Sequence, residues 1–159
     1  MQIIKDGRII EDDWRHLSDD AAVAEKSTLT LARWLAEKEN LTVSDIGVRL
    51  NGGDDAGALE NDLARVALVV LDIPAMTDGR CFSQARQLRD SIHFQGEIRA
   101  RGSFIRDQVY FLSRVGVNSF EPSGEQPLAS FLTALSDFSV SYQTSSDRPG
   151  VLFAGRHGA

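Results

Sequence analysis

The chain has 159 residues, enough for one domain around one sizeable core. Its hydrophobic share of 42% and charged share of 25% lie near the globular average, which excludes disorder for most of its length. The formal net charge of -6 leaves no general cationic surface for displacing counterions, so nucleic acid is not an expected partner.

Residues 3–10 read as two short apolar runs around Lys5-Asp6-Gly7-Arg8, and Asp-Gly between apolar runs is a hairpin signal. Residues 12–25 are acidic and read as a surface linker. Residues 28–31 alternate like a short strand and run into the helix-forming segment 32–37. Residues 46–50 predict a strand, 51–55 a loop able to cap a helix, and 58–64 a helix. The segment 67–73, ALVVLDI, is apolar on both faces and bounded by Pro74, the pattern of a strand in the middle of a parallel sheet. Residues 74–80 form a loop. Phe82, Ala85, Leu88, Arg89 and Ile92 then recur at helical spacing. Residues 97–101 alternate as a strand, and Ile105, Val109, Leu112 and Val115 mark the apolar face of another helix, which Gly116 stops. A strand over 117–120 and a helix over 128–135 follow.

Strand and helix thus alternate, with strand starts roughly 20 to 30 residues apart, as in βαβ units. The expected fold is α/β. Four or five βα units form a mostly parallel open sheet, doubly wound with helices on its faces and preceded by the N-terminal hairpin. The alternative is the same units curling into a partial barrel of the TIM type. Residues 1–143 are expected to form the domain and 144–159, with Pro149 and three glycines, a mobile tail. The single cysteine, Cys81, excludes an intramolecular disulfide and a cysteine-rich zinc site, and no other metal set is apparent. The first residues are charged by Lys5 and lack the apolar core of a secretion signal, and the run 66–71 is too short to span a bilayer. A cytoplasmic location with no membrane partner is expected.

Ligands of parallel α/β proteins gather beyond the carboxyl ends of the strands. In the loop after 67–73, Asp78, Gly79, Arg80 and Ser83 suit an anion-binding turn: Gly79 permits close backbone approach and Arg80 a bidentate clamp. The alternative is a plain turn with a helix cap. In the loop after 97–101, Arg101 stands at the strand end. Arg106 falls in the first helical turn, against the helix dipole, and is expected to be held by Asp107, another acid or a bound anion. Asp72 can serve as an acid or base, a metal ligand, or a partner for Arg80 or Arg101. Cys81 reads as exposed beside Arg80, which would lower its thiol pKa. His16, His93 and His157 lie in unrelated segments. Trp14, Trp34 and Phe111 read as core or staple residues. No glycine-rich phosphate or dinucleotide fingerprint is present, and no cofactor or catalytic set is named by the residues.

The runs DGRCFSQARQLRD and GEIRARGSFIRDQVYFLSRVGVNSFE, with IIKDGRIIEDDW, LARWLAE and DFSVSYQ, resemble the signature of a bacterial family of uncharacterised proteins. That family is described as oxidoreductases or accessory proteins of assimilatory sulfite reduction. The resemblance spans residues 1–143. Its motif falls on Asp78, Gly79, Arg80, Ser83, Arg86, Leu88, Arg89, Gly96, Glu97, Arg99, Gly102, Arg106, Asp107, Gln108, Gly116, Phe120 and Glu121. The chain departs from the pattern at Cys81 (glycine in the family), Arg101 (aliphatic) and Ser103 (acidic), which weakens a catalytic role for Cys81 and an essential role for Arg101. Three functions follow as expectations. The first is an accessory protein of sulfur assimilation that binds a small oxyanion or a partner such as sulfite reductase. The second is an oxidoreductase using a diffusible or partner-bound cofactor. The third is a structural module that dimerises through the hairpin or an exposed strand edge.

Overall fold

A computed structural model describes residues 1–137 of the chain. The expected tail 144–159, and the end of DFSVSYQ, lie outside the described residues. The N-terminal hairpin forms as the Asp-Gly signal requires. Strand β1 (Gln2–Lys5) pairs antiparallel with β2 (Arg8–Glu11), and both turn residues take positive φ, +50° at Asp6 and +76° at Gly7. Strands β3 (Arg15–His16), β4 (Ser27–Thr30), β5 (Ile46–Leu50), β6 (Val66–Ile73), β7 (Glu97–Gly102) and β8 (Ser119–Pro122) follow. Helix α1 (Leu31–Glu37) lies between β4 and β5. Helix α2 (Arg80–Arg86), continued by a π turn at Gln87–Ser91, lies between β6 and β7. Helix α3 (Arg106–Arg114) precedes β8, and α4 (Leu128–Ser136) follows it.

The eight strands among the described residues form one sheet in the order β2-β1-β8-β7-β6-β5-β4-β3. From β3 to β8 each strand pairs parallel with its successor, while β1 joins β8 antiparallel. A doubly wound sheet reverses its strand order at a switch point. Here the order never reverses between β3 and β8, so right-handed crossovers put every helix on the same face. The core agrees. Val48, Leu50, Val69, Leu71, Ile98, Ala100 and Phe120 pack in one cluster with Trp34, Leu59, Ala85, Leu88, Val109, Leu112 and Phe131 from the helical side.

The two edges of this sheet, β2 and β3, are joined by residues 12–14 alone. Seven strand spacings in a flat sheet would separate the edges by about 34 Å. The step from Glu11 to Arg15 covers at most about 15 Å. The sheet therefore curls, with its helices outside: a half-barrel, the expected alternative, rather than the doubly wound form.

Other expectations change with the tertiary setting. The segment 12–25 is not merely a surface linker. It contributes β3, and the Asp12 side chain is 2% exposed inside the curl. The helix expected over 58–64 is a 3-10 turn at Ala56–Leu59 followed by turns, which direct Asp62 inward to accept from Trp34 Nε1 at 2.9 Å. Ile105 precedes α3 and is 38% exposed, and Phe111 is 58% exposed rather than core. Trp34 is core.

Gly102 ends β7 with φ +122°, and a Cβ there would stand 2.3 Å from the Ile73 carbonyl oxygen. Strain in a disfavoured backbone region costs about 1–3 kcal/mol before any clash. Gly102→Ala is therefore expected to lower the melting temperature by at least about 5 °C in a thermal unfolding scan, with β6 and β7 losing amide protection first.

Candidate functional site

Strand alternation sends one side chain in two to the inside of the curl. On β6 and β7 these are Leu68, Val70 and Asp72, then Glu97, Arg99 and Arg101. They lie in register as Leu68 beside Glu97, Val70 beside Arg99 and Asp72 beside Arg101, and Arg101 in turn sits beside Glu121 of β8. The inner face thus carries the charges of β7 and of Asp72 beside the apolar Leu68 and Val70, where the outer face is apolar throughout.

Arg99 is 1% exposed and surrounded by carboxylates. Its Nη1 and Nη2 donate to the two Asp12 oxygens at 2.8 and 3.0 Å, its Nε and Nη2 to Glu97 at 3.1 and 2.9 Å, and Nη1 also to Glu121 at 3.2 Å. Lys5 reaches Glu97 at 2.9 Å. A buried guanidinium is tolerable only with this degree of pairing. Burial works to lower the Arg99 pKa, but Asp12 and Glu97 outweigh it and raise it above the usual arginine value.

Nearer the carboxyl ends of the strands the side chains close a ring. Arg49 Nη1 donates to the Thr28 hydroxyl at 3.2 Å, and that hydroxyl meets His16 Nδ1 at 2.8 Å. His16 Nε2 meets Glu121 at 2.9 Å. Glu121 lies 3.4 Å from Arg101 Nε, Arg101 Nη1 donates to Asp72 at 2.8 Å, and Asp72 lies 4.0 Å from Arg49 Nε. Each strand from β3 to β8 contributes one member. The ring advances two residues from the Thr28–Gly47 level to Arg49, and two more from the Arg49–Val70 level to Asp72, the stagger that a tilted barrel requires. Where no backbone ladder joins β3 to β8, His16 and Glu121 join them through side chains.

Glu121 is the node of this network. Burial would raise its pKa, yet the His16 ring and the Arg99 guanidinium outweigh that and hold the carboxyl below the usual glutamate range. Glu97 is held low in the same way by Lys5 and Arg99. Lys5, Arg49, Arg99 and Arg101 balance Asp12, Asp72, Glu97 and Glu121, so the network is neutral when His16 is uncharged. These carboxylates are already engaged with cations. Among the described residues no group of three or more histidine, cysteine or acidic side chains is placed to hold a metal ion.

A cleft of about 490 Å³ opens beyond the carboxyl ends of β6, β7 and β8. Asp72, Arg101 and Glu121 form its charged wall, and Met1, Ile73, Pro74 and Pro122 its apolar one, with Ser103 and Ser123 between. Arg101 is 39% exposed there. Gln108 fastens the two neighbouring loops: its amide nitrogen donates to Met76 O at 2.8 Å, and its Oε1 accepts from Ile105 N at 3.0 Å.

The other residues singled out in the sequence fall elsewhere. Arg80 clamps Asp78 through Nε and Nη2 at 3.0 and 2.8 Å, and Asp78 also accepts from the Arg80 backbone N–H. These bonds hold the Asp78 carboxyl down to about 2. The Arg80 guanidinium lies against Gly52, where an added Cβ would come within 2.4 Å of it. Gly79 caps α2, and Ser83 is exposed on α2. Arg106 pairs with Asp137 at 3.3 Å, while Asp107 is exposed in the first turn of α3. Of the residues weighed as strand-end candidates, Asp72 and Arg101 line the cleft, while Asp78, Gly79, Arg80, Ser83, Arg106 and Asp107 do not. Cys81 is buried, not exposed, and burial together with Asp78 pushes its thiol up to about 11 instead of lowering it.

Sequence reasoning did not connect Asp12, His16, Thr28 and Arg49 with Glu97, Arg99 and Glu121. The available signal was the charge on every second residue of Glu97-Ile98-Arg99-Ala100-Arg101, a strand with apolar neighbours on both sides.

Together these features define a class: a βα half-barrel whose lumen is filled by an ion-pair network and whose carboxyl end opens into a cleft. The chain belongs to DUF934, a family of bacterial proteins of unknown function, whose family model matches residues 47–153. The match includes Arg49, Asp72, Arg99, Arg101 and Glu121 and begins after Asp12, His16 and Thr28. No curated protein matches the chain. Among the described residues no helix is long and apolar enough to cross a membrane.

A carboxyl whose folded pKa lies below its unfolded value adds stability above the unfolded value, and that contribution is lost as pH falls through the folded one. For Glu121 and Glu97 the reference value is 4.5. The melting temperature is expected to hold steady above this value and to decline below it. Glu121→Gln, which uncovers buried cations, is expected to cost about 3 kcal/mol at neutral pH and to show a shallower acid decline. Parallel acid limbs for the two proteins in a pH series of thermal scans would remove Glu121 from this account.

Proposed function

We propose that the chain is an accessory protein of sulfite reduction that holds a small sulfur oxyanion, or an organic molecule carrying one, in the cleft at the carboxyl ends of β6–β8. The observation that carries this reading is Arg101, a cation this chain bears where the resembled pattern has an aliphatic residue, so the anion contact is read for this chain; it stands 39% exposed in the cleft wall between Asp72 and Glu121. A guanidinium in a partly enclosed site gives an oxyanion charge-assisted hydrogen bonds. The cleft, at about 490 Å³, has the size of an ordinary small-molecule site and leaves room for more than the anion. The sulfur connection rests on the family resemblance of the sequence, and the partner that such a role implies is sulfite reductase or another protein of sulfur assimilation. Arg80 and Arg106 support it less, since neither lines the cleft.

Isothermal calorimetry with sulfite, sulfate and phosphate tests the proposal. Saturable heat is expected with at least one sulfur oxyanion, and Arg101→Gln is expected to weaken it by about tenfold or more. Silence with all three ions, or an unchanged affinity in Arg101→Gln, would sink the reading.

A second reading, a homodimer through β2, is favoured by one observation. This edge strand is exposed along its whole length, with Ile9 at 38% and Ile10 at 36% exposure. Light scattering is expected to give the dimer mass for the native chain and the monomer mass for Ile10→Lys. A monomer in both cases rules the dimer out.

A further inference from the structure

Resting on the oxyanion site proposed above, we infer that occupation of that site draws a proton onto His16, which makes oxyanion binding and proton uptake one coupled event. The connection runs through named bonds. Arg101 divides its guanidinium between Asp72 at 2.8 Å and Glu121 at 3.4 Å, and Glu121 in turn meets His16 Nε2 at 2.9 Å. An anion at Arg101 takes over part of the charge that Glu121 now shares, and Glu121 leans correspondingly on His16.

The surroundings of His16 make it the place where the added charge is answered. Apart from His16 the four cations of the network balance its four carboxylates, so a bound anion adds a negative charge that a proton on the His16 ring would offset. Lysine and arginine already carry their protons, and the carboxylates are held by cations. Histidine is the side chain whose charge changes near neutral pH. The groups facing it are Glu121 from β8 and the Thr28 hydroxyl from β4. Behind these stand Arg99 and Arg101, which contact Glu121, and Arg49, which contacts Thr28 and lies 4.0 Å from Asp72. The Thr28 hydroxyl suits both charge states. It accepts from Arg49 and can donate to Nδ1 of the neutral ring, whose Nε2–H then serves Glu121. With the ring protonated, the hydroxyl turns and accepts from Nδ1–H instead. No side chain has to leave its place. His16 does not line the cleft. It acts as a positioning residue through Glu121.

Sulfate is the suitable probe because it stays fully deprotonated around neutral pH. Calorimetric titrations of the intact chain near pH 7, in buffers of different ionisation enthalpy, read the protons taken up per sulfate bound. Uptake is expected in the native chain and not in His16→Gln. Sulfate affinity is expected to rise about tenfold from near pH 8 to near pH 6 in the native chain and to stay flat in the variant, one pK unit of coupling being a tenfold effect. Saturable binding with buffer-independent heat in the native chain overturns the coupling and leaves the oxyanion site standing. This measurement needs no variant. Uptake that persists in His16→Gln also overturns it, by assigning the proton elsewhere. If sulfate and the other oxyanions bind in no buffer, the site itself falls.

Discussion

Arg99 sits charged inside a folded sheet, and the architecture follows from what that demands. A guanidinium out of contact with water needs acceptors around its plane, and Arg99 finds them in Asp12, Glu97 and Glu121. Glu97 and Glu121 come from its own strand and the next one. Asp12 comes from the far side of the sheet topology, in the short crossing between β2 and β3. To bring Asp12 to Arg99 the edges must approach each other, and the approach of the edges is the curl. The pairing of one buried cation and the closure of the half-barrel are therefore the same event seen at two scales.

The ring above Arg99 uses the same chemistry for a different purpose. Ion pairs inside a protein rarely add more stability than apolar residues of the same size would, but they are exacting about geometry. A ring that takes one residue from each of six strands fixes the stagger of those strands, since a slip of one residue would turn every member to the outer face. It also leaves part of its charge, Arg101 and Asp72, at the solvent boundary of the cleft. The network that sets the shape of the lumen thus shapes the electrostatics of the place where a ligand would enter.

Much of the fold was legible from local pattern. The hairpin at Asp6-Gly7, the buried strand 67–73, the helical spacing from Phe82 and the glycine stop at Gly116 all rest on contacts between near neighbours in sequence, and they stand close to where the pattern put them. The direction of winding was not legible, because strand order is a long-range property. Asp12 and Arg99 lie 87 residues apart, and His16 and Glu121 lie 105 apart. No periodicity reports such pairings. Arg80 looked like a free anion clamp because its neighbour Asp78 reads equally well as a turn residue. Only the geometry shows the two carboxylate oxygens spent on that arginine. Cys81 was misplaced because the helix begins at Arg80, two residues before the expected start at Phe82, which turns the thiol toward the core.

The pairing of β1 with β8 has a consequence for how the protein is made. Ile3 and Ile4 are fully buried, yet β1 borders only β2 and β8. Its neighbour β8, Ser119–Pro122, is the last in chain order of the strands among the described residues. The hairpin therefore gains its second neighbour only after more than a hundred further residues have been synthesised. Until then one edge of β1 offers unpaired backbone groups to any other strand that meets it.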